Sequence, residues 1–346
     1  MKTTNPAEWK GILVVGEINN CRVQPVTLEL IGKARELKAS CPAVGDTAVV
    51  LIGSGLESAA AEVASSGVDE AILVDHAETA LFNNDLYAAV LQELITARKP
   101  SVVLFPATAR MQDLASMLGI RVDTGVAAHC VDVRINEKAE ILAVVPAFGG
   151  KVLGDILCPG HRPQMATVKP GVFRASPVET PVDVKFTVFD AAAVLQAKKK
   201  TSRLIALDNS VCAMPAGIPV EAAPVVVCGG WGMGSRENWQ LLEELAALLG
   251  GAVGCTRPAV DEGWVEGESR MIGTSGKIVR PKVYIGAALS GSSHHVCGMK
   301  DSSLIISINS DEKAPIFEVS DIRVVGDAKQ ILSGLIEKIR QIRSGK

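Results

Sequence analysis

In the last third of this chain, short apolar runs alternate with loops built from Gly, Ser, Thr, His and Asn: APVVVCGGWGMGS at 223–235, GCTRPAVDEGWVEGESRMIGTSGK at 254–277 and AALSGSSHHVCGM at 287–299. Runs of Val, Ile and Ala without polar alternation need burial on both faces, which a parallel sheet between two helical layers provides. Polar, glycine-dense loops at the ends of such strands suit a phosphate-bearing ligand at the carboxyl edge, where backbone N–H groups and helix N-termini collect. The last third is therefore expected to be a doubly wound cofactor domain.

The same alternation opens the chain. GILVVGE (11–17), DTAVVLIG (46–53), EAILVD (70–75) and SVVLFPA (101–107) have the length and composition of buried strands. VTLELIGKARELKAS (26–40) and DLYAAVLQELITARK (85–99) repeat their apolar residues at three and four, the helical period. Repeated β-α-β implies a mostly parallel sheet. Between 124 and 190 the pattern changes, and AEILAVVPAFGGKVLGDILC (139–158) and TPVDVKFTVFD (180–190) are expected to be antiparallel strands added to that sheet. The basic run and three closely spaced prolines of KKKTSRLIALDNSVCAMPAGIPVEAAP (198–224) read as a connection. The fold class is thus α/β with two domains, each a mostly parallel sheet with flanking helices. The expected boundaries are 1–207 for the first domain, 208–223 for a linker and 224–346 for the second. In the second, Ser235 starts an amphipathic helix that a Gly pair ends (235–251), strands follow at 282–289, 302–309 and 322–327, and a helix closes the chain (328–342).

Composition excludes several classes of function. At 346 residues the chain exceeds what one core usually serves, and 48% of it is apolar while only 4% is aromatic. A net charge of −3 offers no attraction for nucleic acid. The eight cysteines (Cys21, Cys41, Cys130, Cys158, Cys212, Cys228, Cys255 and Cys297) are scattered, without a C-x-x-C pair or a Cys/His spacing that would close a metal site. They are expected to be small buried hydrophobes in a reducing compartment. The start, MKTTNPAEWKGILVVGE, lacks a charged-then-apolar leader, and no segment approaches a membrane span of ~20 apolar residues. A cytoplasmic protein without membrane insertion is the expectation.

Two loops carry candidate chemistry. GGWGMGS, between a strand and a helix, could cradle a diphosphate through its N–H groups, or could be glycine-rich only for close packing. SGSSHH (290–295) offers hydroxyl and N–H donors together with an imidazole; on a helix its two histidines face different ways, so at most one serves a ligand. His76, His129 and His161 are isolated and expected to be structural.

TRPAVDEGWV, IGTSGK, SGSSHHVCGMKDS, INSDEKAPIFEVSD and VVGD, in this order, resemble the FAD-binding domain of the electron-transfer flavoprotein alpha subunit. Residues 11–170 resemble that family's first domain, most clearly in HRPQMATVKPGVF (161–173). The resemblance implies FAD as cofactor, with Thr256 and Arg257 at the flavin and the arginine beside the isoalloxazine. It implies that Ile272, Gly273, Thr274 and Ser275 run along the ring, Ser275 reaching N5. Ser290, Gly291, Ser292, Ser293, His294 and His295 would hold ring and phosphates, with His295 near flavin O2. Asn309, Asp327 and Ala328 would lie at the ribose and adenine end. A flavin that takes up one electron is anionic around N1 and O2, so Arg257, Ser275 and His295 are the candidate tuning groups. Two positions depart from the family: Trp231 stands where an arginine is usual, and His294 precedes His295 where the family usually has Gln-His.

The resemblance further implies a heterodimer with a beta subunit, electrons arriving from a flavin dehydrogenase of fatty-acid or acyl-CoA metabolism, or from NADH through the partner, and a quinone- or ferredoxin-type acceptor. The segment around Arg162 resembles family members that split electrons between two acceptors with a second FAD in the beta subunit; alternatively its prolines and arginine fix an interface between domains. An electron carrier does no bond-making on a substrate, so catalytic residues are not expected, and no metal is expected. A stand-alone NAD- or nucleotide-binding module and a scaffold that has lost FAD are the alternative readings of the same fold.

Overall fold

The computed structural model describes residues 5–147, 152–175, 183–199 and 217–345. They fall into two compact units, one within Met1–Ala147 and Leu153–Asp208 and the other within Phe148–Val152 and Asn209–Lys346.

The first unit is built on a seven-stranded sheet in the order Lys185–Val188, Glu70–Asp75, Thr47–Gly53, Ile12–Val15, Val102–Pro106, Gln164–Val168, Val126–Cys130. All of its neighbouring strands pair in parallel. The apolar runs lack alternation because both faces are covered. Ile12 and Val14 pack into one core with Val49, Leu51 and Leu104, while Leu13 and Val15 pack into the opposite core with Val50, Ile52 and Phe105. The helices Pro25–Ser40 and Asn84–Arg98 lie where the helical period placed them, one against each core.

Two features of the middle segment differ from expectation. The 180–190 strand is not antiparallel: Lys185–Val188 extends the sheet in parallel beside Glu70–Asp75. As the edge strand it leaves Phe186 and Val188 exposed. Gln164–Val168 lies in the sheet interior between Val102–Pro106 and Val126–Cys130. The antiparallel expectation holds for Ile141–Ala147, which pairs with Asp132–Ile135, but instead of adding to the parallel sheet these strands form a three-stranded sheet of their own whose other edge is Val152–Ile156. Among the described cysteines Cys130, Cys228 and Cys255 are buried free thiols, but Cys21 is exposed, in a tight turn at φ +58° between Ile18–Asn19 and Arg22–Val23.

The second unit is a five-stranded parallel sheet in the order Ala252–Cys255, Val225–Gly229, Val283–Ala287, Ile305–Asn309, Ile322–Val325. In chain order this is 2-1-3-4-5, so the direction of winding reverses between Val225–Gly229 and Val283–Ala287. Arg236–Leu249, capped by Ser235, and Ala328–Arg343, capped by Asp327, share one core around the fully buried Trp239. Tyr284, Met299, Ile305 and Phe317 belong to the core on the other face. Residues 208–216 of the expected linker lie outside the described residues; in its described remainder, Val220 and Ala223 are buried in that second core. None of the described helices is long and apolar enough to cross a membrane.

Candidate flavin cleft

In open α/β sheets the point of winding reversal leaves a crevice at the carboxyl ends of the two diverging strands. Here it is a cleft of about 490 Å³ to which all five strand ends contribute. Trp231 and Gly232 follow the first strand in sequence, Thr256 and Pro258 the second, Ala288 to Ser292 and His295 the third, Asn309 to Asp311 the fourth, and Asp327 to Lys329 the fifth.

The loop Gly230–Gly234 does not present a row of free N–H groups. Gly230 N–H donates to Ala287 O at 2.9 Å and Gly232 N–H to Ala288 O at 3.1 Å. A Cβ on Gly230 would stand 2.4 Å from Ala288 O and 2.5 Å from Leu289 Cα, so glycine here lets two loops cross. Of the two readings of GGWGMGS, close packing accounts for these glycines. Trp231 is 63% exposed at the cleft, and its Nε1–H donates to Glu262 Oε1 at 3.1 Å.

Thr256 gives the clearest sign of a ligand. It occupies the N-cap position of the short helix Arg257–Asp261, yet its side chain makes no capping bond. Its Oγ1 is shielded from solvent and has no hydrogen-bond partner. A buried hydroxyl left unpaired costs about 1–3 kcal/mol, so Thr256 Oγ1 is open to a partner from the cleft that Thr256 lines. Arg257 begins that helix but is 59% exposed and absent from the cleft lining, with Nε donating to Asp261 Oδ1 at 2.9 Å and Nη1 3.6 Å from Glu268 Oε1. These neighbours hold its pKa above the ordinary arginine value, the Asp261 hydrogen bond foremost.

The segment 272–275 is stapled to the histidine helix Ser293–Val296. Thr274 N–H donates to His294 O at 2.8 Å, Thr274 Oγ1 lies 2.9 Å from His294 Nδ1, and His295 Nδ1 lies 3.0 Å from Ile272 O. Gly273, at φ +143°, passes so close to His294 O that a Cβ would come within 2.7 Å. Ile272 and Gly273 are buried, Ser275 is exposed, and the loop stands beside the cleft rather than in its lining. His294 is exposed and lies outside the lining. His295 lines the cleft but is 4% exposed, and burial pushes its pKa down to about 4, so it is neutral near pH 7. The positively charged imidazole considered from the sequence is therefore not what His295 provides. Its charge-free burial also makes the fold less stable as pH falls below about 6.5, where the unfolded chain takes up a proton that the folded chain refuses.

Ser290, Gly291 and Ser292 line the wall and Ser293 starts the helix beyond them. Asn309 Nδ2 donates to Leu289 O at 2.9 Å and its Oδ1 accepts from Asp311 N, which fixes the loop after the fourth strand against that wall. Asp327 accepts from the Lys329 and Gln330 N–H groups, and Ala328 is buried beside it. The sequence reading missed Ser310, Asp311, Pro315 and Lys329, all of which line the cleft. The signal for three of them was position: Ser310 and Asp311 follow Asn309, and Lys329 follows Ala328. With Asp311 and Asp327 set against Lys329, the lining has no excess of positive side chains, so an anion here relies on hydroxyl and N–H donors. Among the described residues no group of three or more His, Cys, Asp and Glu is placed to hold a metal ion.

A doubly wound unit with a donor-lined cleft at its winding reversal is a nucleotide-cofactor domain, and an unpaired hydroxyl at the wall fits a ligand with hydrogen-bonding edges, as FAD has. Comparison with known proteins makes the class specific: residues 12–205 match the electron transfer flavoprotein domain and residues 219–300 the electron transfer flavoprotein FAD-binding domain. The chain is 36% identical to the electron transfer flavoprotein subunit alpha of Clostridium acetobutylicum, over 97% of this chain and 98% of that one. It is 38% identical to protein FixB of Clostridium saccharobutylicum, over 99% and 100%. It is 34% identical to subunit LctC of the lactate dehydrogenase (NAD(+),ferredoxin) of Acetobacterium woodii, over 98% and 79%. The chain belongs to the electron-transfer flavoprotein alpha subunit family, and its cofactor is FAD.

Proposed function

We propose that the chain carries FAD in its second unit, docks a beta subunit through its first, and passes electrons in the cytoplasm between a flavin dehydrogenase, or NADH reached through the beta subunit, and a quinone- or ferredoxin-type acceptor. The observation that carries this reading is the cleft at the winding reversal, with the unpaired Thr256 hydroxyl at its wall. When bound, FAD supplies the one- and two-electron chemistry, and the protein supplies position and electrostatics. Thr256, Ser290, Ser292, Asn309 and Lys329 offer donors for the cofactor's polar edges, and Trp231 offers an aromatic surface where an arginine is usual. Ile272, Gly273, Thr274, Ser275 and His294 form the adjoining face for the flavin ring. The proposal is tested by co-expressing the chain with a beta subunit: a yellow complex whose flavin is bleached by a dehydrogenase or by NADH is expected, and a colourless or inert chain overturns it.

Electron splitting between two acceptors is supported by likeness to the A. woodii protein, whose name includes both NAD(+) and ferredoxin. Arg162 lends it no support: its guanidinium is 4% exposed and donates to Pro159 O and His161 O, contacts that suit the packing role.

Arg257 is proposed as the charge that tunes the flavin. Here Asp261 and Glu268 offset its charge, and because those exposed, screened pairs are weak, the guanidinium is proposed to exchange them for the flavin edge when FAD is bound. Arg257→Ala is expected to retain FAD but to lower its one-electron reduction potential by an amount corresponding to roughly tenfold in equilibrium, ~1.4 kcal/mol. Arg257→Lys should fall between, because it keeps the charge but not the planar fork. Spectroelectrochemical titration of the holoprotein measures this, and an unchanged potential in Arg257→Ala removes Arg257 from the flavin.

A further inference from the structure

Behind the cleft face of His295 lies a buried cluster of neutral polar groups. The Ile272 carbonyl can only accept, so its 3.0 Å contact requires the proton on His295 Nδ1. In a neutral ring Nε2 is then bare, and the Tyr284 hydroxyl, 2.7 Å away and fully buried, donates to it. Cys228 Sγ stands 3.9 Å from the same nitrogen. These neighbours would not compensate an imidazolium. Burial pushes the Cys228 thiol up, pushes Cys255 up to about 12 and raises the Tyr284 hydroxyl, so none is anionic near pH 7. The charged side chain that reaches the cluster, Arg270, acts on Cys255 and is itself a cation. On the helix side, the neighbouring His294 is exposed and engaged with Thr274.

We infer that Tyr284 is a positioning residue of the flavin cleft: with the Ile272 carbonyl fixing the proton on Nδ1, the Tyr284 hydroxyl occupies Nε2, so that the imidazole ties the 271–277 loop to the sheet and offers the cofactor neither a positive charge nor a ring N–H. The loop on which Ile272, Gly273, Thr274 and Ser275 sit thereby takes its position from a strand residue that does not itself line the cleft. This rests on the cleft being the FAD site, yet the tautomer can be measured apart from FAD binding.

Nitrogen NMR of the histidines in the full-length, FAD-loaded protein reads the tautomer directly. Wild type should show His295 protonated on Nδ1, bare on Nε2 and not titrating between about pH 5.5 and 8. Tyr284→Phe should keep the proton on Nδ1, which the Ile272 carbonyl still requires, but move the Nε2 resonance to that of a nitrogen without a donor and release FAD about five- to tenfold more readily, a change of ~1–1.4 kcal/mol, with near-native circular dichroism. Cys228→Ala, which removes the weaker neighbour, should keep the wild-type tautomer. A protonated Nε2 in wild type overturns the inference even if Tyr284→Phe does not fold. So does an Nε2 resonance that is unchanged in Tyr284→Phe. A shifted Nε2 resonance with unchanged FAD retention overturns the positioning of the cleft while leaving the FAD site itself standing.

Discussion

Gly291→Val should abolish FAD binding and lower the stability of the second unit by several kcal/mol. Gly291 holds φ +84°, a region that β-branched residues essentially avoid. A Cβ there would lie 2.2 Å from Ile316 N and 2.4 Å from Ile316 Cα, both backbone atoms with no rotamer to swing away. Relief requires moving the Ile316 backbone, which breaks its 3.0 Å hydrogen bond to Ser290 O and displaces the wall that Ser290, Ser292, Ala314 and Pro315 form. Backbone strain of about 1–3 kcal/mol and overpacking of about 1–3 kcal/mol act together. Gly263→Ala is the control, since Gly263 has φ +73° but nothing within 4 Å of where its methyl would stand, and it should cost about 1 kcal/mol with FAD retained. Thermal melts with flavin content measure both variants, and a yellow, stable Gly291→Val protein would show that the wall does not hold the cofactor.

Thr256→Val should act with opposite signs on the two states. In the apoprotein it replaces a buried hydroxyl that has no partner with a methyl of nearly the same shape, so stability is unchanged or rises by up to about 1 kcal/mol. In the holoprotein it removes the donor that meets the ligand, and FAD affinity should fall about tenfold, ~1.4 kcal/mol. Thr256→Ser keeps the hydroxyl and should keep most of the affinity. Paired measurements of apoprotein melting and FAD dissociation decide: a less stable apoprotein with unaltered FAD affinity would assign the hydroxyl to the fold.

Much of the architecture was legible because burial imposes composition. Ile12–Val15, Thr47–Gly53 and Val102–Pro106 are covered on both faces, so each reads as an unbroken apolar run. Ser235 was legible as a cap because a hydroxyl before an acidic first turn serves local N–H groups, and its Oγ accepts from Asn238 N at 3.4 Å. Gln164–Val168 was harder, because a polar residue inside a sheet is explained only by partners distant in sequence. Gln164 Oε1 accepts from Ile141 N at 2.9 Å, and Thr167 Oγ1 accepts from His129 N at 3.0 Å. The direction of Lys185–Val188 was not legible either: alternation does not distinguish parallel from antiparallel pairing, and here the apolar Phe186 and Val188 are themselves exposed.

The α/β class, the positions of the strand ends and the resemblance that names FAD follow from residue type and order along the chain. Folding assigned what the chemical groups at those strand ends do. It turned His295 from a potential cation into a buried neutral staple between Tyr284 and Ile272, and engaged the glycine-loop N–H groups at 230 and 232 with Ala287 and Ala288. It placed Arg257 outside the cleft lining with Asp261 and Glu268, and left the Thr256 hydroxyl unpaired. Charge state and hydrogen-bond availability are set by burial and by partners brought together through folding, so the same Gly, Thr, Arg and His residues acquire their roles only once the five strand ends converge on one cleft.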